Sequence, residues 1–279
     1  EGAQALGLYY SAFWIPSNGQ LFVYNSDKTK LLGAYTSSNN HESGVFANEI
    51  IEDNQLTLEY IQKGEGSPII KIDQVSYAYR SIKTSKISSG FGDSESCQVN
   101  VNCSPEGDNW QDVKRAICRI SIKIGGNSYW CSGSFINNTA QNCKPYVLTA
   151  DHCTFDDDNN AYATENDMNQ WLFYFNYEAS ECENPNSSPS SNTMTGCSKI
   201  SNSSATGSIS NTSDFHLVQL NNDIPYDYGL FAAGWNRANS ASTNGVGIHH
   251  PAGDIKKISR YTQSTTSSGY DWRVKWSST

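Results

Sequence analysis

The stretch Tyr146-Val147-Leu148-Thr149-Ala150-Asp151-His152-Cys153 is the segment from which the fold can be read. A short apolar run, typical of a buried strand, ends in a histidine and a cysteine, and Cys131 lies upstream of them. Further along, Ser213-Asp214-Phe215-His216-Leu217-Val218-Gln219-Leu220 places an aspartate at the start of another predicted strand. A carboxylate beside an imidazole fixes its tautomer and stabilises its protonated form, so His152 and Asp214 are candidate catalytic residues.

Composition limits the classes of function that the chain can serve. It has 279 residues, which is long enough for two domains. Its net charge of −9 argues against binding nucleic acid, which requires a basic surface. No apolar run approaches the roughly 18–20 residues that cross a bilayer, so we expect no membrane span.

All eight cysteines lie between Cys97 and Cys197. An even set in one region favours disulfides over a zinc site, because no Cys-x-x-Cys pair occurs. Disulfides indicate an oxidising compartment, and we therefore expect a secreted protein. The sequence alone leaves the pairing open, because eight cysteines can be joined in many ways.

The first 82 residues contain no cysteine and read as several short strands separated by turns. In the first strand Leu8, Tyr10, Ala12 and Trp14 alternate with smaller or more polar residues. We predict an antiparallel β-sandwich over residues 1–82, followed by a linker over 83–96 that is exposed to proteolysis.

The second domain, predicted over residues 97–279, also consists mainly of strands. A short helix is expected from Trp110 to Ile117, with Asp108 or Asn109 as its N-cap. Residues 183–212 are rich in Ser, Asn and Thr, and we expect them to form a long surface loop.

The second domain resembles the trypsin-like serine proteases and, more narrowly, the bacterial lysyl endopeptidase group. The segments that carry the resemblance are Cys97–Asp108, Cys131–Ala140, Tyr146–Cys153, Ser213–Phe215, Ala233–Arg237 and Ile248–Ser259. They follow one another in the family's order across residues 97–279, which makes the match specific.

The resemblance implies an all-β chain in which a two-barrel trypsin-like domain, lacking its C-terminal part, follows the sandwich. It makes His152 the general base and Asp214 the residue that orients it. It also implies disulfides Cys131–Cys153 and Cys103–Cys182, protein or peptide substrates, cleavage after lysine and a bacterial, extracellular setting. No cofactor and no metal are expected.

Several cysteines and one neighbour of the histidine depart from the family pattern. Asp151 stands where the wider superfamily has alanine. Cys118, Cys143 and Cys197 have no assigned partners, and the family's partner for Cys97 lies beyond Thr279.

The nucleophilic serine is the residue that the motifs do not supply. Ser94 follows Gly-Asp, but it precedes the histidine and is followed by Glu95. Ser277 and Ser278 follow a predicted strand but lack flanking glycines. The family's chain order therefore places the serine beyond this chain. We expect the 279-residue chain alone to be inactive and the missing C-terminal part to be its main partner.

The family resemblance further implies that the N-terminal 82 residues are a pro-domain that is removed on activation, with Lys83 or Lys86 as cleavage points. A permanent accessory domain is the alternative. The chain is accordingly predicted to be a secreted serine endopeptidase precursor. The rival prediction is a non-catalytic, protease-like module for adhesion or extracellular assembly.

Two further motifs are given structural interpretations. Residues 156–160 (Asp-Asp-Asp-Asn-Asn) offer oxygen ligands for Ca²⁺ but lack the glycine and spaced glutamate of a known loop, so a solvated turn is favoured. His249 and His250 are adjacent, and adjacent strand residues face opposite sides, so we interpret them as structural.

Overall fold

The N-terminal part of the chain is built from two small antiparallel sheets. A computed structural model of the protein describes residues 2–78, 90–203 and 213–277. In its first range the strands are Ala5–Trp14 (β1), Gln20–Asn25 (β2), Leu31–Tyr35 (β3), Phe46–Ala47 (β4), Leu56–Ile61 (β5) and Ile69–Ala78 (β6). They form three-stranded sheets in the orders β4-β1-β6 and β3-β2-β5.

The two sheets share one apolar core. Leu8 and Tyr10 of β1 meet Leu21 and Val23 of β2, and Phe46 of β4 lies among them. Strands whose side chains alternate between two faces can contribute every second residue to such a core. The predicted sandwich is confirmed, and its apolar core lacks any disulfide.

The alternation predicted for β1 breaks in its second half. Leu8 and Tyr10 are buried as expected, but Phe13 is buried and Trp14 is 48% exposed. The register against β6 shifts on both sides of Tyr10. The shift after Tyr10 leaves Ser11 of β1 without a partner in β6, and this one extra residue moves the following side chains to the other face. The prediction for Trp14 is wrong for this reason.

The second part of the chain is also made almost entirely of strands. Its one short α-helix in the described ranges, Glu165–Met168 (α1), lies between the twelfth and thirteenth strands. The strands are Val99–Asn100 (β7), Ile117–Ile124 (β8), Asn127–Ile136 (β9), Tyr146–Ala150 (β10), Phe155–Asp156 (β11), Ala161–Tyr162 (β12), Leu172–Phe175 (β13), Asn192–Thr195 (β14), Cys197–Asn202 (β15), Phe215–Leu220 (β16), Gly245–His249 (β17), Lys257–Tyr261 (β18), Thr266–Ser267 (β19) and Trp272–Arg273 (β20).

A seven-stranded antiparallel sheet dominates this part, in the order β14-β13-β8-β9-β10-β16-β15. The sheet curls into a half-barrel. Every residue of β8 is buried, and Ile120, Ile122 and Ile124 belong to one core cluster with Trp171, Phe173 and Val218. A smaller sheet, β17-β18-β7, and the ribbon β19-β20 follow. The predicted all-β architecture is confirmed.

The expectation of one long loop over residues 183–212 is wrong in its middle. Strands β14 and β15 occupy this segment and form the two edges of the seven-stranded sheet. Edge strands have one side open to solvent, so Ser, Thr and Asn can serve there without an apolar pattern. Residues 204–212 lie outside the described ranges.

The predicted helix Trp110–Ile117 is reduced to a single 3₁₀ turn, Val113–Ala116. The residue before the turn is Asp112, and its side chain makes no capping hydrogen bond. Ile117 is already extended because it begins β8, which leaves no length for a second helical turn.

The two parts of the chain pack directly on each other. Tyr9 of β1 and Ala47 of β4 are buried against Leu172 and Tyr174 of β13. The side chain of Gln170 donates to main-chain carbonyls of β1 and β4, at 3.2 and 3.3 Å. The face of β1 that carries Tyr9 therefore serves as a docking surface, while the opposite face builds the sandwich core.

The predicted linker, 83–96, is only partly described. Residues 83–89 lie outside the described ranges, and Lys83 and Lys86 are among them. The later residues are anchored: the N–H of Gly92 and the hydroxyl of Ser94 donate to the buried carboxylate of Asp254, at 2.7 and 2.5 Å. In the parts of the chain that the structure describes, no helix is long and apolar enough to cross a membrane.

Candidate active site

The sheet brings the two sequence-predicted site residues to one edge. Strand β10 ends at Ala150 and β16 begins at Phe215, and these two residues are paired in the antiparallel ladder. His152 follows the end of β10, and Asp214 precedes the start of β16. Antiparallel pairing therefore places the histidine and the aspartate side by side, although 61 residues separate them in the sequence.

The carboxylate of Asp214 contacts His152 twice. Its Oδ2 lies 2.6 Å from the ring Nδ1, and its Oδ1 accepts the main-chain N–H of His152 at 2.9 Å. The N–H of Asp151 also donates to the main-chain carbonyl of Asp214, at 3.0 Å. The side chain and the main-chain carbonyl of Asp214 are thus both held by the turn that carries the histidine.

This arrangement suits a histidine that accepts protons at its outer nitrogen. The acceptor at Nδ1 favours the tautomer with the proton there, which leaves Nε2 with a free lone pair. The His152 side chain is 59% exposed, whereas that of Asp214 is 18% exposed. Within the described residues, the one polar contact at Nε2 is the sulfur of Cys153, at 3.8 Å.

Two disulfides form, and they are the two that the resemblance implies. Cys131–Cys153 joins β9 to the turn that contains His152, and Cys103–Cys182 spans 79 residues. The remaining four cysteines are free thiols: Cys97, Cys118, Cys143 and Cys197. Burial raises the pKa of Cys118 to about 12, and it holds that of Cys197 well above its usual value. Both buried thiols are therefore poor nucleophiles.

Sequence reasoning missed a second His–Asp pair behind the site. Asp151 is fully buried, and its Oδ1 lies 2.9 Å from Nδ1 of His216. The signal was present, because His216 alternates in phase with the buried Val218 and Leu220 of β16.

The serines that the sequence raised as nucleophiles lie elsewhere. Ser94 donates to Asp254, and Ser277 contacts Thr262 at 3.2 Å. Ser278 lies outside the described ranges. No serine hydroxyl in those ranges hydrogen bonds to His152.

In the acidic run at 156–160, the carboxylate of Asp156 is hydrogen bonded to neighbouring protein groups. The Asp156 carboxylate accepts from the Asn127 and Asn159 side chains and from two main-chain N–H groups of its own turn. These bonds, led by the one from Asn159, lower the pKa of Asp156 to about 2. Among the described residues, no three His, Cys, Asp or Glu side chains are grouped to hold a metal ion.

The adjacent histidines lie at the end of β17, with His249 partly buried and His250 buried. His250 is buried, and its Nδ1 lies 2.9 Å from the main-chain carbonyl of Asp254. Burial lowers the pKa of both His249 and His250. Their placement agrees with a structural role.

Two concave surfaces accompany the sheet. A shallow groove of about 370 Å³ runs beside Asp214, where Thr149, Phe215 and Gly133 face Ile248 of β17. A larger cavity, of about 590 Å³, lies where the sandwich meets the half-barrel, and neither His152 nor Asp214 lines it. Of these two concave surfaces, the groove is the one lined by a member of the His–Asp pair, Asp214.

Comparison with known proteins identifies relatives of the chain. A lysyl endopeptidase from Pseudomonas aeruginosa is 27% identical over 242 residues, which cover 82% of this chain and 49% of the relative. The chain thus spans about half the length of that curated relative.

Two solved structures are also similar. A thermostable serine protease, AL20, from an extremophilic microorganism has a TM-score of 0.40 and 14% identity, covering 57% of this chain and 69% of that one. Protease Anisep from Arthrobacter nicotinovorans has a TM-score of 0.39 and 18% identity, covering 56% and 66%. The family model for the lysyl endopeptidase C-terminal domain matches residues 91–279. The chain therefore belongs to the lysyl endopeptidase family.

Proposed function

We propose that this chain is part of a secreted serine endopeptidase precursor in which His152 is the general base and Asp214 orients it. The observation that carries the proposal is the 2.6 Å contact between the ring Nδ1 and the Asp214 carboxylate. A serine hydroxyl is a weak nucleophile until a base takes its proton, and the exposed His152 side chain, through its Nε2, is suited to that task.

The proposed reaction is hydrolysis of a peptide bond. A serine attacks the scissile carbonyl while His152 accepts its proton, and the protonated ring then delivers the proton to the leaving amine. A water molecule, giving its proton to His152, next attacks the acyl-serine ester, and the ring returns that proton to the serine as the acid product leaves. Asp214 stabilises the imidazolium that forms between these steps. The groove beside Asp214 offers space for an extended substrate next to the pair.

Proteins or peptides are the proposed substrates, with cleavage after lysine. We propose cleavage after lysine because the Pseudomonas relative is a lysyl endopeptidase. We place the nucleophilic serine and the pocket for the lysine side chain outside these 279 residues, following the family's chain order. The chain by itself is accordingly proposed to be inactive, and the C-terminal part to be its essential partner.

Residues 1–82 are proposed to be a pro-domain, joined by the linker at 83–96 to the protease domain at 97–279. The sandwich docks on β13 through Tyr9 and Ala47, while His152 stays 59% exposed. A docked sandwich of this kind leaves the His–Asp pair open. Cleavage at Lys83 or Lys86 would separate the two parts.

The proposed location is outside a bacterial cell. Cys131–Cys153 and Cys103–Cys182 support it, because disulfides persist in oxidising compartments. Mass spectrometry of secreted material would test the pro-domain proposal at the same time. A dominant species in which Glu1 is still joined to Cys97 would argue for a permanent accessory domain.

A fluorophosphonate probe, which modifies activated serines, tests the proposed activity. The gene is expressed both as these 279 residues and as an extended polypeptide, each with His152→Ala and, as a control within the protease domain, Asp156→Asn. We expect labelling of the extended protein at a serine after Thr279, its loss in His152→Ala and its retention in Asp156→Asn.

Three outcomes would contradict the proposal. Labelling of the 279-residue chain would show that the nucleophile was misplaced. Absence of labelling in the extended protein after removal of the sandwich would favour a non-catalytic module. Labelling that survives His152→Ala would remove the base from the mechanism.

A further inference from the structure

Asp151 combines complete burial with a position next to an exposed catalytic candidate. Its side chain is 0% exposed, while the neighbouring His152 side chain is 59% exposed. A carboxylate taken out of water is costly unless hydrogen-bond donors replace its hydration. The buried carboxylate at the turn that carries His152 must therefore have hydrogen-bond donors around it.

The partners of the Asp151 carboxylate come from two other strands. Oδ1 contacts Nδ1 of His216 and accepts from the side chain of Asn202, both at 2.9 Å. Oδ2 accepts from the hydroxyl of Ser203 at 3.3 Å. His216 belongs to β16, Asn202 ends β15, and Ser203 follows it. One buried carboxylate therefore ties the end of β10 to both strands beyond it.

These ties converge on Asp214. His216 stands two residues after it in the chain, and the main-chain N–H of Asp151 donates to the Asp214 carbonyl at 3.0 Å. Asp214 has a φ of 48°, a left-handed conformation that residues other than glycine rarely adopt. Such a conformation persists where the surrounding contacts enforce it.

The His216 ring is itself fixed from several sides. It is 2% exposed, it alternates in phase with the buried Val218 and Leu220, and its centroid lies 6.3 Å from that of Trp171. Because the ring is packed in this way, its contact with Asp151 holds the Asp151 carboxylate against β16. A purely space-filling residue at position 151 would make no such directed contact.

We propose that Asp151 is a positioning residue for the reaction: its carboxylate, held by His216 and Asn202, fixes the turn that presents Asp214 to His152. The inference rests on the proposed function, because it assigns a purpose to the His152–Asp214 contact. Asp151 does not touch the reacting atoms and acts through Asp214.

The test observes the His152–Asp214 contact directly and requires no activity. The 279-residue chain is labelled with ¹⁵N-histidine, and the solvent exchange rate of the Nδ1 proton of His152 is measured by NMR. The five histidines keep the spectrum simple. Asp151→Asn removes the charge and one acceptor at nearly constant volume.

The matched control is Asp156→Asn, because Asp156 is also buried and held by asparagine side chains, but in a turn that does not contact Asp214. We expect Asp151→Asn to accelerate exchange of the His152 proton about tenfold, the factor associated with loss of one hydrogen bond. Asp156→Asn should leave it unchanged. An unchanged rate in Asp151→Asn, or an equal change in both variants, would overturn the positioning role.

A milder variant covers the case in which Asp151→Asn does not fold. Asn202→Ala removes one donor and keeps the carboxylate, and we expect it to accelerate the same exchange severalfold, by about the factor of one weakened hydrogen bond. No change in Asn202→Ala would contradict the proposal. If the wild-type protein shows no protected His152 proton, the proposed function fails together with the inference. If the His152 proton is protected in the wild type but its exchange rate does not respond to substitution of Asp151, the inference alone is contradicted.

Discussion

Replacing Cys131 and Cys153 with serine is predicted to loosen the histidine turn more than it lowers global stability. Their disulfide joins residues 22 positions apart and contains the sulfur next to His152. The matched perturbation is serine at Cys103 and Cys182, whose disulfide spans 79 positions and lies away from the site.

The sequence separations determine the expected losses. A disulfide stabilises mainly by restricting the unfolded chain, and the effect grows with the logarithm of the loop length. The chain-entropy relation gives about 3.4 kcal/mol for Cys131–Cys153 and about 4.5 kcal/mol for Cys103–Cys182. The second pair should therefore contribute more to the free energy of unfolding and less to the order of the site.

Urea unfolding measures the global losses, and hydrogen exchange of the peptide spanning residues 149–155 measures the local one. We expect the Cys131/Cys153 variant to lose protection in this peptide beyond its loss of global stability. The Cys103/Cys182 variant should lose protection there in step with global stability. A reversed order of the two stabilities, or unchanged exchange at 149–155 without Cys131–Cys153, would refute the reasoning.

Two further perturbations address buried charge. Asp167→Ala leaves the ammonium of Lys123, 2.8 Å away and equally buried, without its carboxylate, and we expect a loss of about 3–5 kcal/mol in urea unfolding; a loss below about 1 kcal/mol would contradict the assignment of that pair as a buried ion pair. Burial lowers the pKa of His216 against the opposing effect of Asp151, and Lys199 adds to the lowering. Because the folded state then disfavours the protonated ring, stability should fall as pH drops below the ordinary histidine pKa of about 6.5. The variant His216→Gln should show a shallower decline, and an identical pH dependence would contradict this sign.

The meeting of His152 and Asp214 could be anticipated because local sequence and sheet topology agree. A strand that ends just before His152 and another that begins just after Asp214 need only be antiparallel neighbours to bring the side chains together. The two disulfides were reachable only through family resemblance, because sequence spacing does not determine pairing.

Other features depend on tertiary contacts that carry little sequence signal. Strands β14 and β15 lie at sheet edges, where Ser, Thr and Asn can form strands that resemble loops in composition. Trp14 faces solvent because an extra residue in β1, Ser11, shifts its register against β6, and a single strand does not reveal its partner's register. The docking of Tyr9 on β13 likewise required both surfaces to be seen together.

His216, the buried partner of Asp151, also combines a feature that the sequence predicts with one that depends on tertiary contacts. Alternation along β16 places His216 inward, beside the side chains of Val218 and Leu220, and a polar residue at an inward position requires a partner. That partner is Asp151, which lies at the sharp turn directly after β10. Sequence periodicity does not describe such a turn. Departure from the superfamily's alanine at position 151 was the visible clue.

The kinetic effect of Asp214→Asn on the extended polypeptide tests the central claim most directly. Amide hydrolysis of a lysyl peptide is measured for the wild type, Asp214→Asn and the control Asp156→Asn. If Asp214 orients the base, kcat should fall by about 10⁴-fold with KM little changed, because the histidine would adopt the wrong tautomer. Asp156→Asn should retain wild-type turnover. An Asp214→Asn enzyme that keeps kcat within about tenfold of wild type would contradict the account.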